Sequence, residues 1–250
     1  MIAITPSGHF FIEPVIDADT LIDAIIAADY SEEFCISRSF SPAFVAELMY
    51  SGFLVMSARL VADEDEAGDS SGGKTSGGRY ILLPKHHLTR NVLFFDDLHV
   101  SKTAGRMIKR NSPAYDLRIN ADYDRIVENC VARHGDDWLT KPLLASLSRI
   151  RKSGGLPVFP CSFGLYRNGE LCAGEFGVAT GRVYTSYSGY HDGNSEGTIQ
   201  MIMTARYLQD NGFDFWDLGM PLDYKYTLGA RDIGIKEFIE IFRRARKPVI

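Results

Sequence analysis

Residues 213–238 read FDFWDLGMPLDYKYTLGARDIGIKEF, and the fold turns on this stretch. Phe213, Phe215 and Leu218 are strand-forming residues, and Asp217 interrupts them where an unpaired carboxylate is costly to bury. An acid at the end of a core strand either points into a site or serves as a cap or ion-pair partner, here for Arg231. An irregular loop follows, then a Thr227-Leu228-Gly229-Ala230-Arg231 turn and a helix over 236–244.

The segments upstream complete a domain. Residues 158–166 and 171–178 predict two strands joined by Arg167-Asn168-Gly169, an Asn-Gly hairpin signal. Thr180-Gly181 turns into a third strand, 183–188, and residues 198–211 predict an amphipathic helix closed by Gly212. Helices over 104–109, 123–133 and 141–151 and a strand over 116–119 precede the hairpin. An antiparallel meander followed by a helix and a further strand is compatible with an acetyltransferase-like (GNAT) α+β fold.

Nearer the N-terminus, helices are predicted over 21–28 and 42–50, the second with Ser41 as N-cap and Pro42 in the first turn. Strands over 53–60 and 80–83 flank residues 63–78, DEDEAGDSSGGKTSGG, whose acidic and Gly/Ser-rich composition predicts a mobile loop. The expected organisation is therefore a small N-terminal α/β domain, 1–92, with the flexible loop 63–78, and a GNAT-like catalytic domain, 93–250.

Composition narrows the class. A chain of 250 residues with 45% hydrophobic and 12% aromatic content can build a proper core. No apolar run approaches the roughly 18–20 residues of a membrane helix, and MIAITPSGHFF lacks the pattern of a secretory signal. Cys35, Cys130, Cys161 and Cys172 show no Cys-x-x-Cys spacing, which predicts reduced core thiols in a cytoplasmic protein and no metal site. The net charge of −5 argues against a general nucleic-acid binder. A local basic face is still available, because Lys102, Arg106, Lys109 and Arg110 fall along one side of a helix.

Several segments together resemble the leucyl/phenylalanyl-tRNA–protein transferases. Asp217-Leu218-Gly219 stands where that family has Asp-Cys-Gln, and Thr227-Leu228-Gly229-Ala230-Arg231-Asp232-Ile233 is similar to its Ser-Leu-Gly-Ala-Arg turn. Leu98-His99-Val100-Ser101-Lys102 resembles its Leu-His-Val-Ser-Arg, and Trp138-Leu139-Thr140 its Trp-Ile-Thr. Gly169-Glu170-Leu171 through Gly177-Val178-Ala179 resembles its central hairpin.

The resemblance implies a GNAT fold and a reaction in which a protein's α-amine attacks the ester of an aminoacyl-tRNA. Aminoacyl-tRNA would be a co-substrate, with no other cofactor, and a downstream protease system would consume the tagged protein. Asp217 is the implied catalytic residue. The family's Gln is Gly219 here, and one wall of its apolar donor pocket becomes Glu175, with Phe176 and Tyr187 beside it. Tyr187 also replaces an acid of the acceptor cleft, which Ser188, Tyr190 and Gly219 complete. Trp138, Arg90, Lys102, Arg106, Lys109 and Arg110 are the expected contacts to the tRNA 3′-end or its phosphates.

A charge gained in the donor pocket and one lost at the acceptor side point to arginine transfer onto Asp or Glu termini, the alternative being leucyl/phenylalanyl transfer onto Lys or Arg. A CoA-dependent N-acyltransferase is the reading from another class. Against it, the loop His191-Asp192-Gly193-Asn194-Ser195-Glu196-Gly197 is acidic and has no Arg for pyrophosphate. A catalytically silent tRNA- or peptide-binding relative is the third reading. His86-His87 is expected to be a loop pair, and Arg243, Arg244, Arg246 and Lys247 a solvated helix end.

Overall fold

Asn168 and Gly169 both take positive φ, 53° and 87°, and reverse the chain between β7 (Phe159–Arg167) and β8 (Glu170–Thr180). Gly181 (φ 55°) turns β8 into β9 (Val183–His191). These turns set the register of the meander at the centre of a seven-stranded sheet. The computed structural model describes residues 3–6, 8–60, 79–111 and 114–247.

A ribbon of β1 (Ala3–Ile4) and β2 (Phe10–Phe11) opens the described chain, followed by α1 (Ala18–Ala27) and α2 (Pro42–Tyr50). Pro42 starts α2 as expected, but the Ser41 side chain makes no capping bond. Next, β3 (Leu54–Leu60) and β4 (Arg79–Lys85) pair antiparallel, with Leu60 opposite Arg79. The expected loop 63–78 lies outside the described residues.

The large sheet then receives β5 (Thr89–Phe94) and, after α3 (Lys102–Asn111), β6 (Tyr115–Ile119). Helices α4 (Tyr123–His134) and α5 (Lys141–Ser153) precede the meander. Gly154 ends α5 in the left-handed conformation. After β9 come α6 (Asn194–Asp210), β10 (Phe215–Gly219), α7 (Asp223–Tyr226), β11 (Arg231–Gly234) and α8 (Ile235–Ala245). The strand order is β11-β5-β10-β9-β8-β7-β6, and within this sheet only β9 and β10 run parallel, because α6 carries the chain back across.

Two strands of the large sheet were not expected, nor was the ribbon of β1 and β2. β5 is hidden by its polar pair Arg90-Asn91, both buried, and β11 by its short run directly after a turn. Since β5 lies between β11 and β10, a boundary between residues 92 and 93 runs through a strand of the large sheet. One apolar cluster joins Phe44 and Leu48 of α2 with Val92, Phe176, Phe215, Phe238 and Phe242.

Alternation along the strands separates two faces. Phe176, Val178, Val183 and Phe215 face the layer that contains α2, α4, α5 and α8. Cys161, Phe163, Tyr184, Trp216 and Leu218 face Ala205 and Leu208 of α6. The C-terminal cations are not simply solvated: Arg246 holds Asp19 at 2.7 and 2.5 Å, and Arg243 holds Asp23 at 2.7 Å, tying α8 to α1.

Candidate active site

The sheet splits at the end of β10. Parallel pairing runs Phe215↔Val183, Trp216↔Tyr184 and Asp217↔Thr185 and goes no further, while β9 stays on β8 and β10 stays on β5. The split leaves strand-end backbone groups without a ladder partner, a place where a ligand's backbone-like groups can enter. Gly219 closes the strand with φ 75°. A Cβ there would come no nearer than 3.4 Å to Leu54, so the left-handed conformation rather than crowding favours glycine.

Asp217 is completely buried at this split. Its Oδ2 accepts from Thr185 Oγ1 at 3.0 Å, and its Oδ1 accepts from Gly219 N at 3.0 Å. Arg90 Nε lies 3.2 Å from Oδ1. The same guanidinium donates to Gly52 O at 2.6 Å and sits 4.3 Å over the Phe238 ring. Burial pulls the pKa of Arg90 down and the Asp217 carboxylate pushes it back up.

Two expectations are corrected here. Arg231 is not the partner of Asp217; it lies over Phe94 at 4.7 Å. Arg90 offers no surface to a tRNA phosphate, being 1% exposed and committed to Asp217.

Glu175 belongs to the other face. Its Oε2 accepts from Ser186 Oγ at 3.2 Å, and Ser186 in turn accepts from Trp216 Nε1 at 2.7 Å. Its Oε1 accepts no well-formed hydrogen bond among the described residues, and the Tyr184 hydroxyl and Gln200 are the polar neighbours nearest to it. Burial pushes the Glu175 carboxyl up to about 8, against the pull of Ser186, Tyr184 and Gln200. Glu175 and Phe176 are successive residues of one strand, so the sheet separates them. Phe176 packs 6.2 Å from the Tyr187 ring on the Asp217 side. The expected grouping of Glu175, Phe176 and Tyr187 in one pocket is therefore corrected, and Glu175 stands apart with Tyr184, Ser186 and Trp216.

Lys225 was missed by sequence reasoning. It opens no motif, and the only signal is a lysine set between Tyr224 and Tyr226 directly after the site strand. The side chain is buried and turns back to the split, where Nζ donates to Leu218 O at 2.6 Å and Met220 O at 2.8 Å. Burial lowers its pKa to about 8, opposed by the carboxyls of Asp217 and Glu175. Met220, Leu222 and Tyr224, in the same segment, are 40–52% exposed.

The remaining expected residues are scattered. The Tyr187 hydroxyl accepts from Val55 N at 2.9 Å, and burial raises its pKa. Ser188 uses its carbonyl to accept from Cys130 at 3.4 Å. Tyr190 is 8% exposed and packs with the core beside α4. Trp138 is half-buried and stacks on Tyr187 at 6.4 Å, which makes it a core anchor at the edge of the site. Lys102, Arg106, Lys109 and Arg110 all lie on α3, and the last three line a surface groove with Thr103 and Met107.

Two turns distant in the sequence meet in space. His99 N donates to Leu228 O at 2.8 Å, and a Cβ on Gly229 (φ 97°) would run into Asp97 O. The four cysteines are buried and unpaired, and burial pushes Cys35, Cys130 and Cys161 up to about 12.

A family model of leucyl/phenylalanyl-tRNA protein transferase matches residues 92–243. The chain belongs to this family. Its relatives include the leucyl/phenylalanyl-tRNA–protein transferase of Pseudomonas entomophila (strain L48), 27% identical over 158 residues, which are 62% of this chain and 67% of the relative. That of Pseudomonas aeruginosa is 27% identical over 160 residues, 63% of this chain and 68% of the relative. Among solved structures, FemX aligns at a TM-score of 0.45 and 9% identity, over 94% of this chain and 81% of that one, too slight a likeness to bear on function. The matched span of the transferase family starts in β5 and ends in α8, and so holds Glu175, Asp217, Gly219 and Lys225. Within that span, Gly219 closes the site strand in a conformation that favours glycine.

Proposed function

We propose that the protein moves arginine from arginyl-tRNA to the N-terminal α-amine of proteins that begin with Asp or Glu, marking them in the cytoplasm for a downstream protease system. Family membership supports the transfer from charged tRNA to a protein N-terminus. The single observation that carries the choice of arginine is the buried Glu175, which has no ion-pair partner among the described residues. A carboxylate buried with only neutral hydroxyl and amide neighbours is costly. A bound guanidinium displaces the proton that Glu175 otherwise holds near neutral pH and pairs with the carboxylate, a contact worth about 1.5–3 kcal/mol. The leucyl or phenylalanyl side chains of the relatives' names do neither.

The ester of an aminoacyl-tRNA is already activated, so holding the amine against the carbonyl does most of the work. The split between β9 and β10 is the place for this meeting, with Asp217 as a positioning residue that fixes Thr185, Gly219 and Arg90 around it. Neither Tyr187 nor Gly219 brings a negative charge to the acceptor side, and Arg90 compensates that of Asp217. A basic terminus therefore finds no partner there. The basic face of α3 suits the tRNA phosphates. A CoA thioester fits less well, because the first turn of α6, where a pyrophosphate would seat, carries the buried Glu196 paired to Arg167 at 2.7 Å.

Model proteins beginning with Asp, Glu, Lys or Arg, each offered Arg-, Leu- and Phe-tRNA, provide the test. Arginine transfer to Asp and Glu termini is expected. Leucine or phenylalanine transfer to Lys and Arg termini, with none from Arg-tRNA, overturns the donor and acceptor choice. Acetylation of amines from acetyl-CoA with no transfer from any tRNA overturns the reaction class.

A further inference from the structure

We propose that Lys225 is the base that takes the proton from the attacking α-amine. The inference rests on the transfer reaction assigned above. Its ground is the position of Nζ. It lies at the split of β9 and β10, held by two carbonyls of the site strand's end, Leu218 O and Met220 O, at 2.6 and 2.8 Å.

An amine with two hydrogens committed to two carbonyls has one tetrahedral position left. In the ammonium form a third N–H fills it, and in the neutral form a lone pair does. The two carbonyls hold the nitrogen in place in either state, so the third position exchanges a proton without losing its orientation. Backbone anchors the group as well: Lys225 N donates to Leu222 O, and Lys225 O accepts from Leu228 N and Ala230 N.

The groups around Nζ poise it for exchange. The carboxyls of Asp217 on β10 and Glu175 on β8 favour the ammonium, and burial favours the amine more strongly, which brings the group to about 8. The Tyr224 ring lies 5.7 Å away, and His87, from the segment before β5, feels the lysine's charge and is itself neutral at pH 7. Arg90 is engaged by Asp217. A base with a pKa near the working pH combines a usable neutral fraction with a useful proton affinity.

The step balances without any further reactant. The α-amine lone pair forms the new C–N bond at the ester carbonyl carbon, and neutral Lys225 accepts the proton that the nitrogen sheds. As the C–O bond breaks, the Lys225 ammonium returns that proton to the tRNA 3′-oxygen, which leaves as a hydroxyl.

Lys225→Arg keeps a donor for both carbonyls but holds its proton throughout the working range. Lys225→Gln removes the base altogether. Both are expected to lower single-turnover transfer by roughly 10²–10⁴-fold with tRNA binding unchanged. In the native protein, log rate should rise with a slope of two below about pH 7, since the acceptor amine (pKa about 7.7–8.0) and the lysine must both lose a proton. The slope should fall to one in Lys225→Gln.

NMR of protein carrying ¹³Cε-labelled lysine gives a readout free of activity: one resonance, absent from Lys225→Arg, should titrate near pH 8. Lys225→Arg with more than a tenth of native transfer overturns the proposal, and so does a Lys225 resonance that does not move below pH 10. If Lys225→Gln fails to fold, Lys225→Arg and the titration carry the test. A native protein that transfers nothing from Arg-, Leu- or Phe-tRNA, while its lysine titrates near pH 8, overturns the assigned reaction and with it the role given to Lys225.

Discussion

Glu175 has a cost that the fold does not need. A carboxyl whose folded pKa is raised to about 8 binds a proton that the unfolded chain has already lost above about 4.5. Its burial therefore subtracts stability as the pH rises from about 4.5 to about 8. Glu175→Gln should remove that slope and leave the protein more stable at pH 8, measured by urea unfolding, while arginine transfer falls on the order of 10–100-fold. A variant that is no more stable, or that keeps full arginine transfer, contradicts a functional reason for the burial. Asp217 has the opposite character. Asp217→Ala leaves Arg90 buried without a counter-charge, and a loss of about 3–5 kcal/mol in unfolding free energy is expected. Adding Arg90→Met should recover much of it, because the pair is replaced by an apolar group.

The elements differ in how openly the chain announces them. The hairpin β7–β8 and helix α5 were legible because Asn168-Gly169 and Gly154 occupy the left-handed conformations that only a few residue types take readily. β5 was not legible, since Arg90 and Asn91 break an apolar run and their partners lie far along the chain. Arg90 pairs with Asp217, and Asn91 Nδ2 donates to Asp232 Oδ1 at 2.7 Å. On α3 the basic face was legible from spacing alone, and its opposite side packs Ala104 and Ile108 against Ile202 of α6. Replacing Lys102, Arg106, Lys109 and Arg110 by Gln should weaken tRNA binding. The slope of log K against log salt should shrink by roughly 0.7–0.9 for each phosphate that is no longer neutralised, as filter binding across a salt series would reveal. An unchanged salt slope removes α3 from the tRNA interface.

At the scale of the molecule, the N-terminal third and the large sheet share one core, so they should not separate. A fragment 93–250 lacks most of β5 and the α2 residues that cover Phe238 and Phe242, and it should show no cooperative thermal transition by circular dichroism. Between β4 and β5, His86 and His87 are buried, and burial lowers them to about 4 and about 2, for His86 against the opposing pull of Glu33. Groups neutral when folded and protonated when unfolded contribute stability above about 6.5, which is lost as the pH falls toward about 4. Urea midpoints of native protein should thus drop more steeply over that window than those of His86→Gln with His87→Gln. The Glu175 effect runs the other way over part of it, and only the variants separate the two.

The sequence by itself determined the turns, the strand alternation, the family and the residue types of the site, because each of these is written in local conformational preference and local pattern. Only the tertiary structure decided which face each side chain serves. It placed Glu175 and Asp217 on opposite sides of the sheet, turned Arg90 from an expected phosphate ligand into a buried counter-ion, and brought Lys225 back onto the carbonyls of Leu218 and Met220. A desolvated charge is stable only beside its partner, and those partners are distant in the chain.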